Sequence, residues 1–150
     1  MHKVTEILFR GPRPTDIRTL VERGFQQIVV TQSGDEDRLT DSLYESQLRS
    51  KRSDPEAIYP SIKVVYIRCS NIWPPTYFQV SEFLVAASNG LKTYLHCHSG
   101  VDRTGFLVAA YRMQKLGWPF EEAYKEWVEQ GRHWWFDWWK FELERYRYKQ

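Results

Sequence analysis

The sequence predicts one α/β domain whose central, mostly parallel sheet is flanked by helices. Short apolar segments with strand character alternate along the chain with segments of helical spacing, which is the pattern of parallel α/β folds. The 150 residues are a length at which a single domain buries a core. A glycine-punctuated segment, residues 96–105, lies between a predicted strand and a predicted helix.

The start of the chain contains two predicted strands and a helix. Residues 7–9 form a short apolar strand that ends at a turn of glycine and proline. Thr15 and Asp16 cap a helix that Gly24 closes, because a side-chain oxygen suits the first position and glycine the last. Residues 27–31 form a continuous apolar run, which predicts a central parallel strand.

The middle of the chain begins with a long polar segment, an excursion from the alternating pattern of strands and helices. Residues 33–60 predict a surface segment that carries one weak helical pattern. A strong strand signal follows at residues 62–67, and residues 70–75 end in two prolines that predict a rigid turn. Thr76 then caps a helix that is predicted to run to about residue 90.

The same alternation continues to the end of the chain. A strand is predicted at residues 91–95, directly before the glycine-punctuated segment. The helix after this segment ends at Gly117, and Pro119 opens another helix over residues 120–130. The last 15 or so residues predict a final helix.

The glycine-punctuated segment, called the loop 96–105 below, combines residue types that suit attack on a phosphate. It reads His-Cys-His-Ser-Gly-Val-Asp-Arg-Thr-Gly and places Cys97 six positions before Arg103. A cysteine attacks as the thiolate, which a helix N-terminus and a nearby cation both favour. Arg103 adds a planar fork that binds two phosphate oxygens at once.

Other residues of the loop complete the predicted phosphate site. The backbone N–H groups of residues 98–103 can point inward and form an anion nest. Gly100 and Gly105 permit the backbone angles and the close approach that such a curl requires. The Thr104 hydroxyl can stabilise the thiolate as the leaving group when a phosphocysteine is hydrolysed.

This loop resembles the signature loop of the cysteine-dependent protein tyrosine and dual-specificity phosphatase superfamily. The strand-helix-strand start of the chain is similar, more weakly, to small atypical dual-specificity phosphatases and their bacterial relatives. The resemblance implies a phosphatase-like fold in a single domain, residues 1–150, with catalysis by Cys97, Arg103 and an acid. It implies a phosphate site formed by His98, Ser99, Gly100, Val101, Asp102, Arg103 and Thr104.

No metal or other cofactor is expected, because the loop and its arginine supply the charge that a metal would provide. The sequence has no Cys-x-x-Cys pair, no histidine pair with zinc-binding spacing and no Gly-x4-Gly-Lys phosphate loop. Zinc and nucleotide-type phosphate sites are therefore disfavoured as alternatives.

The general acid of this superfamily is usually an aspartate from a loop that precedes the signature strand. Here that loop would be residues 70–76, which contain no carboxylate, and Asn71 is closest to the position of the acid. An asparagine is a poor proton donor, and general acid catalysis contributes about 10²–10⁴-fold. Three alternatives stay open: the acid comes from elsewhere, the leaving group needs little help, or the domain binds phosphate better than it hydrolyses it.

Asp102 is the predicted replacement for the missing acid. Loops with Asp-Arg-Thr occur in myotubularin-like phosphoinositide phosphatases, where this aspartate is proposed as the acid, and in bacterial tyrosine phosphatases that keep a separate acid. The alternative role for Asp102 is to cap the helix N-terminus, where the dipole favours an aspartate. The acidic residues 35–37 are a weaker candidate, because a solvated charge run explains them better.

The histidines, Ser99 and Cys69 have structural interpretations as well. His96 is predicted to lie beneath the loop and to hydrogen-bond to backbone rather than act as a base. His98 either contacts substrate or is passive, and Ser99 either donates to the thiolate or fills the turn. Cys69 is either a buried apolar residue or the partner of Cys97 in a protective disulfide.

The C-terminal part of the chain is rich in tryptophan. Residues 132–141 hold four of the seven tryptophans, more than one helix face can bury. This excess predicts packing together with a partner contact, such as a homodimer through the Trp-rich C-terminal helix. A membrane-interface anchor is the less favoured alternative, because the flanking charges are mixed.

Composition narrows the class of protein further. A net charge of +2 gives little attraction to nucleic acid. The chain has no apolar run of about 18 residues and no apolar N-terminal stretch, so neither a transmembrane segment nor a signal peptide is expected. Two cysteines suit a thiolate enzyme of a reducing compartment, and we expect a cytoplasmic protein.

The sequence therefore predicts hydrolysis of phosphomonoesters through a phosphocysteine intermediate. The expected substrate is phosphotyrosine or phosphoserine/threonine of a protein, and the expected partner is a phosphorylated protein or small molecule. A phosphoinositide or inositol phosphate is the alternative substrate, disfavoured because the loop 96–105 has no lysine. A phosphate-binding pseudophosphatase is the alternative class of function.

Overall fold

The computed structural model of the chain describes residues 1–31, 62–70, 72–97, 102–131, 133 and 137–147. Within them a five-stranded sheet has the order β1-β2-β5-β3-β4. The strands are β1 (His2–Lys3), β2 (Leu8–Gly11), β3 (Gln27–Val30), β4 (Lys63–Tyr66) and β5 (Thr93–His96). Every neighbouring pair is parallel except β1 and β2. This confirms the predicted α/β class with a mostly parallel sheet.

Helices connect the strands and continue beyond the last one. They are α1 (Ile17–Glu22), α2 (Tyr77–Ala87), α3 (Asp102–Leu116), α4 (Phe120–Glu129) and α5 (Trp139–Leu143), and a 3₁₀ turn (Glu144–Tyr146) follows α5. None of the helices that the structure describes has the length and apolar character that crossing a membrane requires.

The helix ends carry the signals that the sequence predicts. The Asp16 side chain accepts a hydrogen bond from the backbone N–H of Arg18 at 2.8 Å, which caps α1. Thr76 and Gln79 form a reciprocal capping box at the start of α2. Gly117 follows α3 with a φ of 71°, a left-handed conformation that glycine adopts without strain.

The register of the parallel strands aligns their carboxyl ends. The last residues of β2, β5, β3 and β4 pair across the sheet in one row: Gly11, His96, Val30 and Tyr66. The residues that follow each of these strands therefore meet at a single edge of the sheet. In parallel α/β folds this edge is where ligands bind.

Helices cover both faces of the sheet, because alternate residues of its buried strands point to opposite sides. Ile28 and Val30 pack with α1 in one core cluster, which also contains Tyr94. Val29 and Leu95 belong to the other cluster, which contains the buried residues of α2, α3, α4 and α5. Both clusters thus take residues from β3 and from β5, whose Tyr94 and Leu95 point to opposite faces.

Three parts of the chain differ from the prediction or lie outside the described residues. β1 is an antiparallel edge strand of two residues, which is too short to give a sequence signal. The predicted final helix is shorter than expected, because α5 gives way to the 3₁₀ turn where Gln114 donates to the carbonyl of Tyr146. The predicted excursion at residues 33–60 lies outside the described residues.

Candidate active site

Cys97, the predicted nucleophile, lies at the carboxyl end of the central strand β5. This strand pairs with β2 on one side and β3 on the other, both parallel to it. The Cys97 side chain is 2% exposed, and it is a free thiol. The sheet therefore places this thiol at the edge where the four parallel strands end.

A chain of hydrogen bonds continues past the strand ends and links His96 to Arg103. The backbone N–H and the hydroxyl of Thr31 both donate to the carbonyl of His96, at 3.0 and 2.8 Å. The N–H of Cys69 donates to the carbonyl of Thr31 at 3.0 Å, and Nη1 of Arg103 donates to the carbonyl of Cys69 at 3.4 Å. The guanidinium of Arg103 is thus anchored at the same edge as Cys97.

Cys69 lies next to this site but has a different environment. It is fully buried in the core, and its thiol donates to the carbonyl of Ile67 at 3.4 Å. Burial raises the pKa of the Cys69 thiol to about 12, while the nearby Arg103 lowers it and Cys97 raises it. Cys69 is a free thiol in the structure, as expected of a buried apolar cysteine.

His96 directly precedes Cys97 and is fully buried. Burial lowers the pKa of His96 to about 3, so the ring is neutral at neutral pH. Its Nδ1 lies 3.1 Å from the carbonyl of Cys97, which can only accept, so Nδ1 carries the ring proton and donates. The ring thus bonds to backbone at Cys97, and its predicted place beneath the loop 96–105 stays a prediction.

Thr104 and Gly105 occupy the first turn of α3. The Thr104 side chain is fully buried, and its hydroxyl has no hydrogen-bond partner among the described residues. At Gly105 an added Cβ would overlap the indole of Trp127 on α4. Gly105 does not have a positive φ. It is needed for the close approach of two helices, and the unusual backbone angle predicted for it is absent.

Asp102 is the first residue of α3 and is 7% exposed. One carboxylate oxygen accepts the backbone N–H of His133 at 3.1 Å, and the other pairs with Nδ1 of the same histidine. Among the described residues, both hydrogen bonds of the Asp102 carboxylate are with this histidine, and its two alternative roles, general acid and helix cap, stay predictions. No pattern in the sequence points to His133, which lies within residues 132–141, called the Trp-rich segment below.

Arg10 is a second buried cation that sequence reasoning missed. It lies on β2 opposite Leu95 of β5 and is 2% exposed. Burial lowers the pKa of Arg10, and the nearby Glu126 and Cys97 oppose this effect. The sequence feature that could have identified Arg10 is its position as the one charged residue within the short strand β2.

The C-terminal segment packs on the residues that follow Asn71. The carbonyl of Ile72 accepts a hydrogen bond from Nε1 of Trp139 at 3.0 Å. The rings of Trp73 and Trp138 meet edge to face with their centroids 5.6 Å apart. The segment expected to carry the superfamily's general acid is therefore in contact with the Trp-rich segment.

As predicted, some aromatic side chains of the Trp-rich segment are packed in the core and others are exposed. Trp139 is fully buried, whereas Phe141 is 70% exposed. A pocket of about 670 Å³ opens beside this segment, and its aromatic lining includes Trp73, Tyr77, Trp138 and Tyr146. The homodimer through this segment stays a prediction.

Several predicted site residues lie outside the described residues. They are Asn71, His98, Ser99, Gly100, Val101 and the acidic residues 35–37. Among the predicted site residues that are described, the structure brings Cys97, His96, Asp102, Arg103 and Thr104 to the carboxyl edge of the sheet.

Comparison with known proteins gives a family match and related sequences. The family described as a DSP-PTPase phosphatase fused to NAD+ kinase matches residues 2–132. Over 60 residues the chain is 38% identical to Protein phosphatase Slingshot homolog 1 of Mus musculus and of Homo sapiens. The match covers 40% of this chain and 5% of the length of each of these curated relatives.

Solved structures with the same fold include two phosphatases. The core catalytic domain of the PP-IP phosphatase SIW14 from S. cerevisiae has a TM-score of 0.72 at 18% identity, over 96% of this chain and 83% of that chain. Tk-PTP in its active form has a TM-score of 0.67 at 22% identity, over 95% of this chain and 92% of that chain. These likenesses establish the fold that the two proteins share with this chain.

Proposed function

The chain belongs to the family of DSP-PTPase phosphatases fused to NAD+ kinase, and we propose that it hydrolyses phosphotyrosine or phosphoserine/threonine in proteins. It is a member of the cysteine-dependent tyrosine and dual-specificity phosphatase superfamily, and hence a phosphatase of this type. The proposal adds the substrate class and the residues that carry the reaction.

In the proposed reaction the Cys97 thiolate attacks the phosphorus of the substrate. A sulfur–phosphorus bond forms, the bond from phosphorus to the leaving oxygen breaks, and that oxygen takes a proton. Water then attacks the phosphocysteine, inorganic phosphate departs, and the thiolate is restored. Arg103 and the backbone N–H groups of the loop 96–105 hold the phosphoryl oxygens throughout.

The observation that carries this proposal is the hydrogen-bonded path from His96 through Thr31 and Cys69 to Arg103. It fixes the guanidinium to the backbone next to the predicted nucleophile, as a preorganised anion site requires. The buried Thr104 hydroxyl, without a partner among the described residues, supports a role as donor to the sulfur or the phosphate.

Two observations bear on the substrate. The curated relatives are named protein phosphatases, which supports a phosphoprotein. SIW14 is named a PP-IP phosphatase, and its catalytic domain shares the fold, which favours an inositol phosphate as the second candidate. The absence of lysine in the loop 96–105 favours the phosphoprotein, because a polyanionic substrate calls for additional cations.

The test is turnover of purified protein on an aryl phosphate, a phosphotyrosine peptide, a phosphoserine/threonine peptide and an inositol polyphosphate. We expect the highest kcat/KM on a phosphopeptide, and loss of turnover to background in Cys97→Ser. Arg103→Lys should lower kcat/KM by about 10²–10³-fold, because a point charge replaces a fork of donors. Cys69→Ser is the matched control, in which turnover on every substrate should persist.

Turnover that persists in Cys97→Ser would contradict the phosphocysteine mechanism. Binding of phosphate without Cys97-dependent turnover on any substrate would instead identify a pseudophosphatase. A higher kcat/KM on the inositol polyphosphate would overturn the proposed substrate class and leave the mechanism in place.

The free thiols at the site also support placing this activity in a reducing compartment such as the cytoplasm.

A further inference from the structure

We propose that His133, held by Asp102, donates the proton to the leaving oxygen of the substrate. This inference rests on the proposed function and assigns the proton donor within it. The segment 70–76 contains no carboxylate, so the position from which the superfamily usually supplies its acid offers no proton donor of that kind. Of the alternatives above, we take the one in which the donor comes from another part of the chain.

The geometry of the His133–Asp102 pair favours this role. Asp102 and Arg103 are consecutive residues in the first turn of α3, so the pair is anchored at the helix end that also carries the guanidinium proposed to hold the phosphate. The carboxylate binds His133 twice, through the backbone N–H at 3.1 Å and through Nδ1 of the ring. Two contacts from one rigid helix terminus fix both the position of the residue and the orientation of its imidazole.

Exposure distinguishes the two members of the pair. The Asp102 side chain is 10% exposed, whereas the His133 side chain is 39% exposed. Both oxygens of Asp102 already accept from His133, while Nε2 lies on the edge of the ring opposite the nitrogen that Asp102 binds. The imidazole is therefore the more accessible member of the pair, as a group that meets a substrate must be.

Contacts between the C-terminal part of the chain and residues 72–73 are a second, independent observation. Trp139 donates to the carbonyl of Ile72, the residue after Asn71, and the rings of Trp73 and Trp138 pack edge to face. Trp138 and Trp139, five and six positions after His133, thus contact the residues next to the expected position of the acid. These contacts support a proton donor from the C-terminal part of the chain.

The proton balance is complete within the pair. In the first step Nε2–H of the imidazolium gives its proton to the leaving oxygen as the oxygen–phosphorus bond breaks, and the ring becomes neutral. In the second step the neutral Nε2 takes a proton from water as that water attacks the phosphocysteine. Imidazole suits both steps because it exchanges its proton near neutral pH. Asp102 is the positioning residue that keeps Nδ1 protonated and directed away from the substrate.

The test compares leaving groups. With p-nitrophenyl phosphate, whose leaving group needs little protonation, His133→Gln should retain turnover within a few-fold. With phenyl phosphate and phosphotyrosine peptide, whose leaving groups are poorer, the same variant should lose about 10²–10⁴-fold in kcat. His2→Gln, a histidine on the edge strand β1, is the matched control and should leave the ratio between substrates unchanged.

Two further variants make the test specific for proton transfer. Added imidazole should restore turnover of phenyl phosphate by His133→Ala, and should not accelerate the parent or Cys97→Ser. Asp102→Asn should show the same selective loss as His133→Gln, and the double variant should lose no more than either single one, because the two residues act as a unit.

Two results would overturn the proposal. One is an unchanged ratio between good and poor leaving groups in His133→Gln, with folding verified by circular dichroism. The other is a selective loss in Asp102→Asn while His133→Gln keeps full turnover, which would assign the proton to Asp102. Failure of the proposed function is distinct from both, since the parent would then show no Cys97-dependent turnover on any substrate.

Discussion

Two cysteines lie at the same edge of the sheet, and their environments give them different chemistry. Cys69 follows β4 and is enclosed by the core, where burial raises its pKa to about 12. Cys97 follows β5, and α3, with Arg103 in its first turn, begins five positions later. A thiol reacts as its thiolate, so burial protects the sulfur of Cys69, and Cys97 is the sulfur that we propose reacts.

This difference predicts selective alkylation. At about pH 7 a thiol with a pKa of about 12 is ionised to roughly 1 part in 10⁵, so Cys69 should remain unmodified by iodoacetamide. Cys97 should be modified, and inorganic phosphate should slow its modification by occupying the proposed anion site. Peptide mapping by mass spectrometry after brief exposure measures both sites in one sample.

Unfolding supplies the control for this experiment. In Cys97→Ser the native protein should take up no label, and the same protein in urea should be labelled at Cys69. Rapid labelling of Cys69 in the native variant would show that its thiol is accessible and ionised, in contradiction to its burial.

At the residue scale, the sequence predicts the parts of the site that are contiguous. Cys97, Arg103 and Thr104 are recognisable because one short loop must contain them all. The pairing of His133 with Asp102 joins residues 31 positions apart, and tertiary packing alone decides which residue of the Trp-rich segment meets the carboxylate. Arg10 was missed for the same reason, since its neighbours Cys97 and Glu126 come from distant parts of the chain.

At the scale of elements, the position of α3 determines where Asp102 and Arg103 lie. Its first turn packs closely on α4, because Gly105 leaves room for the indole of Trp127. Trp127 is buried, and the ring of Phe106 contacts it edge to face at 6.0 Å. The helix that holds the proposed phosphate site is therefore fixed by an aromatic contact at its N-terminal end.

Gly105→Ala should destabilise the fold despite the better helix propensity of alanine. Propensity favours alanine by about 1 kcal/mol. Overpacking in a filled core costs about 1–3 kcal/mol, and the buried indole has little room to move. We expect a net loss of stability in urea unfolding, with reduced kcat/KM because the first turn of α3 shifts.

A double-mutant cycle isolates the contact. Trp127→Phe removes part of the ring that the new methyl group meets, so Gly105→Ala should cost less in that background than in the parent. Equal costs in the two backgrounds would show that the glycine serves some purpose other than the approach of α3 to α4.

Elements with local signals were predicted well, and those that depend on packing were not. α1 and α2 have capping side chains, and α3 ends at a glycine, so their ends are encoded within a few residues. β1 exists because β2 offers it an edge, which no property of two residues reveals. The early end of α5 reflects contacts of the 3₁₀ turn with α3, including Tyr146 against Phe106.

At the scale of the whole molecule, the sheet buries polar groups beneath its functional edge. His96 is enclosed between β2 and β3, and Arg10 lies on the adjacent strand. Arg112 on α3 forms a two-point ion pair with Glu126 on α4, at 2.9 and 3.1 Å.

Because His96 is buried as the neutral ring, the stability of the fold is linked to pH.

The direction of this linkage follows from the two states of His96. In the unfolded chain it binds a proton below a pH of about 6.5, whereas in the folded protein its pKa is about 3. The unfolded state therefore binds more protons between these values, and stability falls as the pH falls through this range. Between about pH 7.5 and pH 5.5 the loss from this one residue should be about 1.4 kcal/mol.

Urea unfolding at these two pH values measures the loss, and His96→Asn identifies its source. The asparagine amide can still donate to the Cys97 carbonyl but does not titrate, so the variant should be less dependent on pH even if it is less stable. His2 adds an effect of the same sign, because burial also lowers its pKa, and His2→Gln measures that share separately. An undiminished pH dependence in His96→Asn would show that the ring is not held neutral in the fold. The ring that bonds to the Cys97 carbonyl would then have to be an imidazolium, which would add a positive charge on the residue next to the proposed nucleophile.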